Sequence, residues 1–348
     1  MPVKTDAINE ILEGLNSEQK KAVEHGSGPL LVVAGAGTGK TSVITKRIAH
    51  IIASKKARPS EILALTFTDK AAGEMEERVD ILVPYGFNDV WISTFHAFGD
   101  SILRENAVDA GLSGDYHLLS PAESAVFMCE NLFALPLNYY RPLGNPTQYI
   151  NSMLNLFSKA KDEDISPDEY IRYAEKSLKK AATPEEKEEA EKHLEAAQTY
   201  QKYEELKKKN NYFDFGDQVV MALDILKKHP SILKKYQDKF KYILVDEFQD
   251  TNYAQFEMVK LIAASHKNIT VVGDDDQSIY KFRGACLSNI LDFKSTYPDA
   301  EQVVLRQNYR STQIILNSAY KLIMQNNPER LEVKNNINKE LVSSRLDG

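Results

Sequence analysis

Ala34-Gly35-Ala36-Gly37-Thr38-Gly39-Lys40-Thr41 is a run whose residue types and spacing suit the holding of linked phosphates. Its small residues let backbone N–H groups approach phosphate oxygens, and a helix starting at its end would aim its N-terminus at them. Lys40 would reach the β- and γ-phosphates of a nucleoside triphosphate, and the Thr41 hydroxyl would bind Mg²⁺. The strict pattern opens on glycine; Ala34 takes that place, and three glycines remain in the loop.

A metal at such a site needs a carboxylate, and Asp246-Glu247 follows the apolar run Tyr242–Val245. Asp246 at a strand end would hold Mg²⁺ through water, and Glu247 would orient or deprotonate an attacking water. Taken alone, Asp-Glu at a strand end serves equally well as a helix cap; beside a phosphate loop, the hydrolytic reading prevails. Gly273-Asp274-Asp275-Asp276-Gln277 is another polar strand end. Gln277 suits contact with the γ-phosphate and a metal-bound water. The three aspartates are open between a cation site and a helix cap.

The elements that would position these groups are short, nearly continuous apolar runs. They are Pro29–Ala34, Ile62–Thr66, Val90–Ser93, Tyr242–Val245 and Ile269–Gly273, most of them separated by helix-length segments. That pattern predicts an α/β fold, a parallel sheet with helices on both faces and ligands beyond the carboxyl ends of its strands. Between about residues 120 and 210 the strand-like runs give way to a charged helical pattern, predicting a helical insertion. Thr183-Pro184-Glu185-Glu186 reads as a helix start and Glu188 with Lys192 as an i,i+4 pair. Lys207-Lys208-Lys209 reads as solvated surface.

Charged residues are 27% and apolar residues 43% of the 348, ordinary values for a globular protein. The net charge of −7 weighs mildly against non-specific duplex binding and leaves room for a local single-strand groove. Two distant cysteines, Cys129 and Cys286, exclude a disulfide framework and a cysteine zinc site. No apolar stretch approaches the ~20 residues of a membrane span, and no signal-peptide pattern opens the chain, so a cytoplasmic protein is expected.

The motifs occur together in a recognisable order: Leu15–Gln19, Ala34–Thr41, Thr66–Ala72, Ser93–His96, Phe213–Phe215, Val245–Asn252, Val272–Ala285 and Gln307–Ser311. The chain thereby resembles the UvrD/Rep/PcrA group of superfamily 1 DNA helicases over nearly its whole length. The resemblance implies a P-loop NTPase (RecA-like) motor domain at 1–115 and 208–292, an all-helical insertion at 116–207, and the opening of a second motor domain at 293–348. It implies ATP with Mg²⁺ as cofactor, and single-stranded DNA and its junctions with duplex as partner, alongside repair or replication proteins. Gln19 would read adenine and Tyr309 stack on it. Arg310 would act as an arginine finger, and Arg283 would connect the γ-phosphate to the DNA side. Phe67, His96, Tyr280 and Phe282 would line the strand's path, since aromatic faces stack on any base.

Three positions depart from the group's common pattern: Phe282 for Trp, Ser42 for Arg and Asp69 for Asn. The resemblance further implies a 3′-to-5′ helicase of repair, replication or recombination, present here as an N-terminal portion, monomeric and weakly active or inactive alone. The motor part of a helicase–nuclease is the alternative among enzymes, and a nucleotide-binding regulatory module the alternative of another class.

Overall fold

The computed structural model describes residues 3–83, 89–109, 111, 115–279 and 285–345. The chain divides into two compact units, Met1–Phe98 with His229–Gly348, and Gly99–Lys228.

The first unit is built on a six-stranded parallel sheet. In chain order its strands are β1 (Leu30–Ala34), β2 (Ile62–Thr66) and β3 (Trp91–Thr94), then, beyond the short strands β4 (His117–Leu119) and β5 (Tyr212–Asp214), β6 (Tyr242–Val245), β7 (Ile269–Gly273) and β8 (Glu301–Leu305). Their order across the sheet is β3-β2-β6-β7-β1-β8, with every pairing parallel. All residues of β1, β2, β6 and β7 are buried, as expected for strands covered on both faces. Val32, Ala64 and Leu244 share one core with Val43, Ile44 and Ile48 of the helix Lys40–Ala53.

The five expected strands match β1, β2, β3, β6 and β7 to within a residue at their ends. β8 is an addition. Residues 293–348, expected to open a second motor domain, lie in the first unit. Glu301–Leu305 pairs with β1 along its whole length, Leu30 opposite Glu301 through Ala34 opposite Leu305, and buries Val303 and Leu305 in the same core. Beyond it, β9 (Gln307–Asn308) pairs with β10 (Val342–Ser343).

The second unit is helical apart from the parallel pair β4–β5 and extends beyond the expected 116–207. Its longest helix, Pro184–Lys209, starts as the residues dictate: the Thr183 hydroxyl accepts from Glu186 N at 3.2 Å, Pro184 takes the first turn, and Glu188 pairs with Lys192 at 2.5 Å. The lysine run at its end is split in fate. Lys208 and Lys209 are exposed, as expected, but Lys207 is buried. Lys207 and Lys161 both hold the Asp214 carboxylate at 2.7 Å, and both also reach Asp217 and Glu204. Glu204 of the same helix, with Asp214 and Asp217 from the following strand and helix, outweighed the polarity of the run, a tertiary effect invisible in local composition. Among the described residues no helix is long and apolar enough to cross a membrane.

Candidate nucleotide site

Strand order assembles the site. The phosphate loop follows β1, Asp246-Glu247 follows β6, Asp274–Gln277 follows β7, and Gln307–Ser311 follows β8. β6, β7, β1 and β8 are consecutive neighbours, so four motifs scattered over the sequence meet along one sheet edge.

At the centre is the Lys40 ammonium. It donates to Glu247 Oε2 at 2.7 Å and to Gln277 Oε1 at 3.0 Å. Lys40 opens the helix Lys40–Ala53, capped by Gly39 in a left-handed conformation (φ 89°). Glu247 is itself left-handed (φ 47°, ψ 45°), an uncommon backbone state for a residue with a side chain. Gln249 braces it: Gln249 Nε2 donates to Glu247 Oε2 at 2.8 Å, while its Oε1 accepts Asp274 N at 3.1 Å. A Cβ on Gly273 would stand 2.6 Å from that same Oε1, so the two strand ends approach this closely only with glycine there.

Asp246 is buried, and its Oδ1 accepts Glu247 N at 2.9 Å. Burial first, then the Glu247 charge, pushes its carboxyl up to about 6. Asp246, with the hydroxyl of Thr41 in the first turn of the helix Lys40–Ala53, would offer the hard oxygen donors that suit Mg²⁺. A bound cation would also favour the ionised carboxylate. Asp250 is likewise pushed up to about 6 by burial and by Glu247.

On the opposite flank, Gln307–Ser311 docks onto the phosphate loop. Tyr309 N donates to Gly37 O at 2.9 Å, and Asn308 Nδ2 donates to Ala36 O at 2.6 Å. Asn308 Oδ1 accepts the N–H groups of Arg310 and Ser311, so one side chain shapes both loops. Gln19 is buried and donates to Thr38 O at 2.9 Å. Its Oε1 accepts Asn16 N, closing a reciprocal cap on the helix Ser17–Glu24. Asn16 Nδ2 donates to the Tyr309 hydroxyl at 3.0 Å, which brings the two expected adenine residues to one place. Arg47, buried, ties this arrangement to the sheet. Its guanidinium donates to Ala22 O and Val23 O in the last turn of that helix, to His25 O just past it, and to Thr270 Oγ1. Burial lowers it to about 10, still charged at neutral pH.

Gly37 is also left-handed (φ 75°), and a Cβ there would lie 2.7 Å from Arg310 Cβ and 2.9 Å from Asn308 Nδ2. Gly37→Ala is therefore expected to push Asn308–Arg310 off the loop, with about 1–2 kcal/mol of left-handed strain added. ATP affinity measured by calorimetric titration should fall about tenfold or more; an unchanged affinity would show that this docking is dispensable.

Phe67 and His96 stand apart from this group. They follow β2 and β3, the two strands on the far side of β6, and both are half-buried. Burial lowers the His96 imidazole while Asp69 pulls the other way, leaving a neutral ring. Arg310 is exposed and hydrogen-bonded only through its backbone in the contacts described, to Asn308 Oδ1 and from Arg345. Tyr280, Phe282 and Arg283 lie outside the described residues. Sequence reasoning passed over Asn16, Arg47, Gln249 and Asn308. The first, third and fourth sit inside the motifs already singled out, which was the available signal.

Residues 15–298 match the sequence profile of the UvrD/REP helicase N-terminal domain. The chain belongs to the UvrD/REP helicase family. Among UvrD/REP relatives it is 38% identical over 335 residues to the ATP-dependent DNA helicase PcrA of Leuconostoc citreum, covering 94% of this chain and 42% of that protein. It is 39% identical over 331 residues to the PcrA helicase of Bacillus subtilis strain 168, covering 94% and 42%. Against the Staphylococcus aureus Mu50 protein of the same name it is 39% identical over 328 residues, covering 93% and 41%. The chain thus spans about two fifths of the length of these UvrD/REP relatives.

Proposed function

We propose that this chain is the ATP-binding portion of a DNA helicase or translocase moving 3′ to 5′ along single-stranded DNA, with single/double-strand junctions as its sites of action. The observation carrying the proposal is the Lys40 ammonium shared between Glu247 and Gln277, three strand ends meeting on one charge. On this reading the six-stranded unit is the first motor domain, Gly99–Lys228 is its inserted domain, and the chain beyond β8 leads toward a second motor domain.

ATP would lie with its phosphates along Gly35–Thr41 and its base near Gln19 and Tyr309. Thr41 and Asp246 would hold Mg²⁺, which would supply positive charge to offset the negative charge of the phosphates. Lys40 exchanges its Glu247 partner for phosphate oxygen. The carboxylate thus released takes a proton from water as that water attacks the γ-phosphorus and the bond to the β-phosphate oxygen breaks. Gln277 senses whether the γ-phosphate is present. Phe67 and His96 offer ring faces to bases at the ends of β2 and β3, with β6 and β7 lying between them and the phosphate-loop strand.

ATP turnover should be measured with and without single-stranded DNA on a chain of the relatives' length, with Lys40→Ala as control. Turnover is expected to rise with DNA and to be lost in Lys40→Ala. Turnover indifferent to DNA would remove the motor reading and leave an ATP hydrolase without a DNA role, and unimpaired Lys40→Ala would remove the site itself.

A further inference from the structure

Asp274, Asp275 and Asp276, open in the sequence between cation site and helix cap, meet a cation supplied by the chain itself. Lys339 Nζ lies 2.6 Å from Asp274 Oδ1 and 2.8 Å from Asp276 Oδ2, and it also donates to Asp275. Lys339 is buried. Burial works against its charge, but the three carboxylates outweigh it and hold the ammonium well above its ordinary range. Arg330 grips Asp276 with two hydrogen bonds, at 2.8 and 2.7 Å, and Leu331 N donates to Asp275 Oδ2 at 2.7 Å. The segment Arg330–Lys339 therefore clamps the loop that follows β7.

One oxygen of Asp274 links this clamp to the site. Asp274 Oδ2 accepts from Gln277 Nε2 at 2.7 Å, and Gln277 Oε1 accepts from Lys40 Nζ at 3.0 Å. A carboxamide has one donating and one accepting end. With its NH₂ held by Asp274, its carbonyl must face the site, where it accepts from the Lys40 ammonium and can accept from a water beside the γ-phosphate. Asp274 is in turn oriented by its other oxygen, on Lys339 and, at 3.2 Å, on the Asp276 N–H. Four side chains form one line: Lys40, Gln277, Asp274, Lys339.

We propose that Lys339 is a positioning residue for γ-phosphate recognition, acting through Asp274 on the orientation of Gln277. The proposal rests on the reading of Gln277 as the γ-phosphate sensor. Lys339 never touches nucleotide; it keeps the Gln277 carbonyl turned toward Lys40 and toward water at the γ-phosphate. Without it, Arg330 is the cation left among the described residues to face three crowded carboxylates, and Asp274 is held to its Gln277-facing orientation by the Asp276 N–H and not by a charge.

The test is a calorimetric titration of the 348-residue chain with ATP and with ADP, both with Mg²⁺. The variants are Lys339→Met, Lys339→Arg, Lys40→Ala, and Lys339→Met combined with Asp275→Asn. Lys339→Met is expected to lower ATP affinity about tenfold or more, the effect of losing a charge-assisted hydrogen bond, while ADP affinity stays about as it was. Lys339→Arg should keep the preference for ATP. Asp275 has no hydrogen bond to Gln277 among those described, so removing its charge in the Lys339→Met background should restore thermal stability but not the ATP preference. Parallel loss of ATP and ADP binding, an unchanged ratio, or a ratio restored by Asp275→Asn would overturn the proposal and leave Lys339 a purely structural cation. Binding in Lys40→Ala equal to the unaltered chain would defeat the nucleotide-site reading itself. Equal affinity of the unaltered chain for ATP and ADP, with binding lost in Lys40→Ala, would spare that reading and remove the sensor.

Discussion

Glu247→Gln is expected to lower ATP turnover by roughly 10²–10⁴-fold, the usual contribution of a positioned general base, while ATP binds more tightly than to the unaltered chain. The two effects have one cause. The Glu247 carboxylate holds the Lys40 ammonium at 2.7 Å, so phosphate must compete with it for that charge. Glutamine has the same shape and still offers an oxygen to Gln249, whose Nε2 now donates to Glu247 Oε2, so the left-handed turn at 247 is retained. What disappears is the charge that opposes phosphate and, on the reading proposed above, the base that accepts the proton. Single-turnover hydrolysis and equilibrium titration separate the two. Turnover within tenfold of the unaltered chain would place the base elsewhere, and weaker binding would show that the Lys40–Glu247 pair prepares the site rather than competing for it.

The second large effect belongs to the helical unit and concerns stability. Lys161→Met keeps much of the side chain's length and removes its charge, leaving Glu204, Asp214 and Asp217 to Lys207 alone. Lys161 is buried, and its three acidic partners lie 2.6 to 2.9 Å away. Burial opposes its charge, yet these partners hold it well above its ordinary value, and the same lysines pull the Asp214 carboxyl well down despite its own burial. Breaking one member of a buried ion cluster strands its partners and costs about 3–5 kcal/mol. In urea, far-UV circular dichroism should show an early transition of the helical unit. Fluorescence of Trp91, the one tryptophan and a residue of the other unit, should move much less. Adding Asp217→Asn should recover part of the loss. A circular-dichroism midpoint that does not move would mean the cluster adds nothing to the unit's stability.

The elements that frame the candidate site were legible wherever they depend on residue type at short range. A strand, a glycine-rich loop and a helix must occur in succession to hold phosphate, and that succession is visible in Leu30–Ala53. Fully buried parallel strands are nearly all apolar, which is why β1, β2, β6 and β7 were readable and β8 was not. β8 is at the edge, with Glu301, Gln302 and Val304 only half-buried, and its polar ends obscure it. Contacts that depend on distant chain segments left no local mark. Lys207 in a run of three lysines, and Lys339 in the polar stretch Asn335–Glu340, look like surface; only the carboxylates they meet across the fold make them interior. Asn308 was legible as part of a motif but not as the brace between two loops, because its partner Ala36 lies at the other end of the chain.

The placement of β1 also governs when the site comes into being. Leu30 pairs with Thr270 on one side and with Glu301 on the other, so both neighbours of the phosphate-loop strand arrive only after the entire helical unit has been made. Such long-range parallel pairing is slow to form, because loop closure must precede the contacts that reward it. During synthesis the glycine-rich loop emerges early and waits unframed, its strand an open edge until β7 and β8 close on it. Nucleotide, which can engage only the closed arrangement, would then stabilise the last step of folding selectively and act as a ligand-driven check that the sheet is complete.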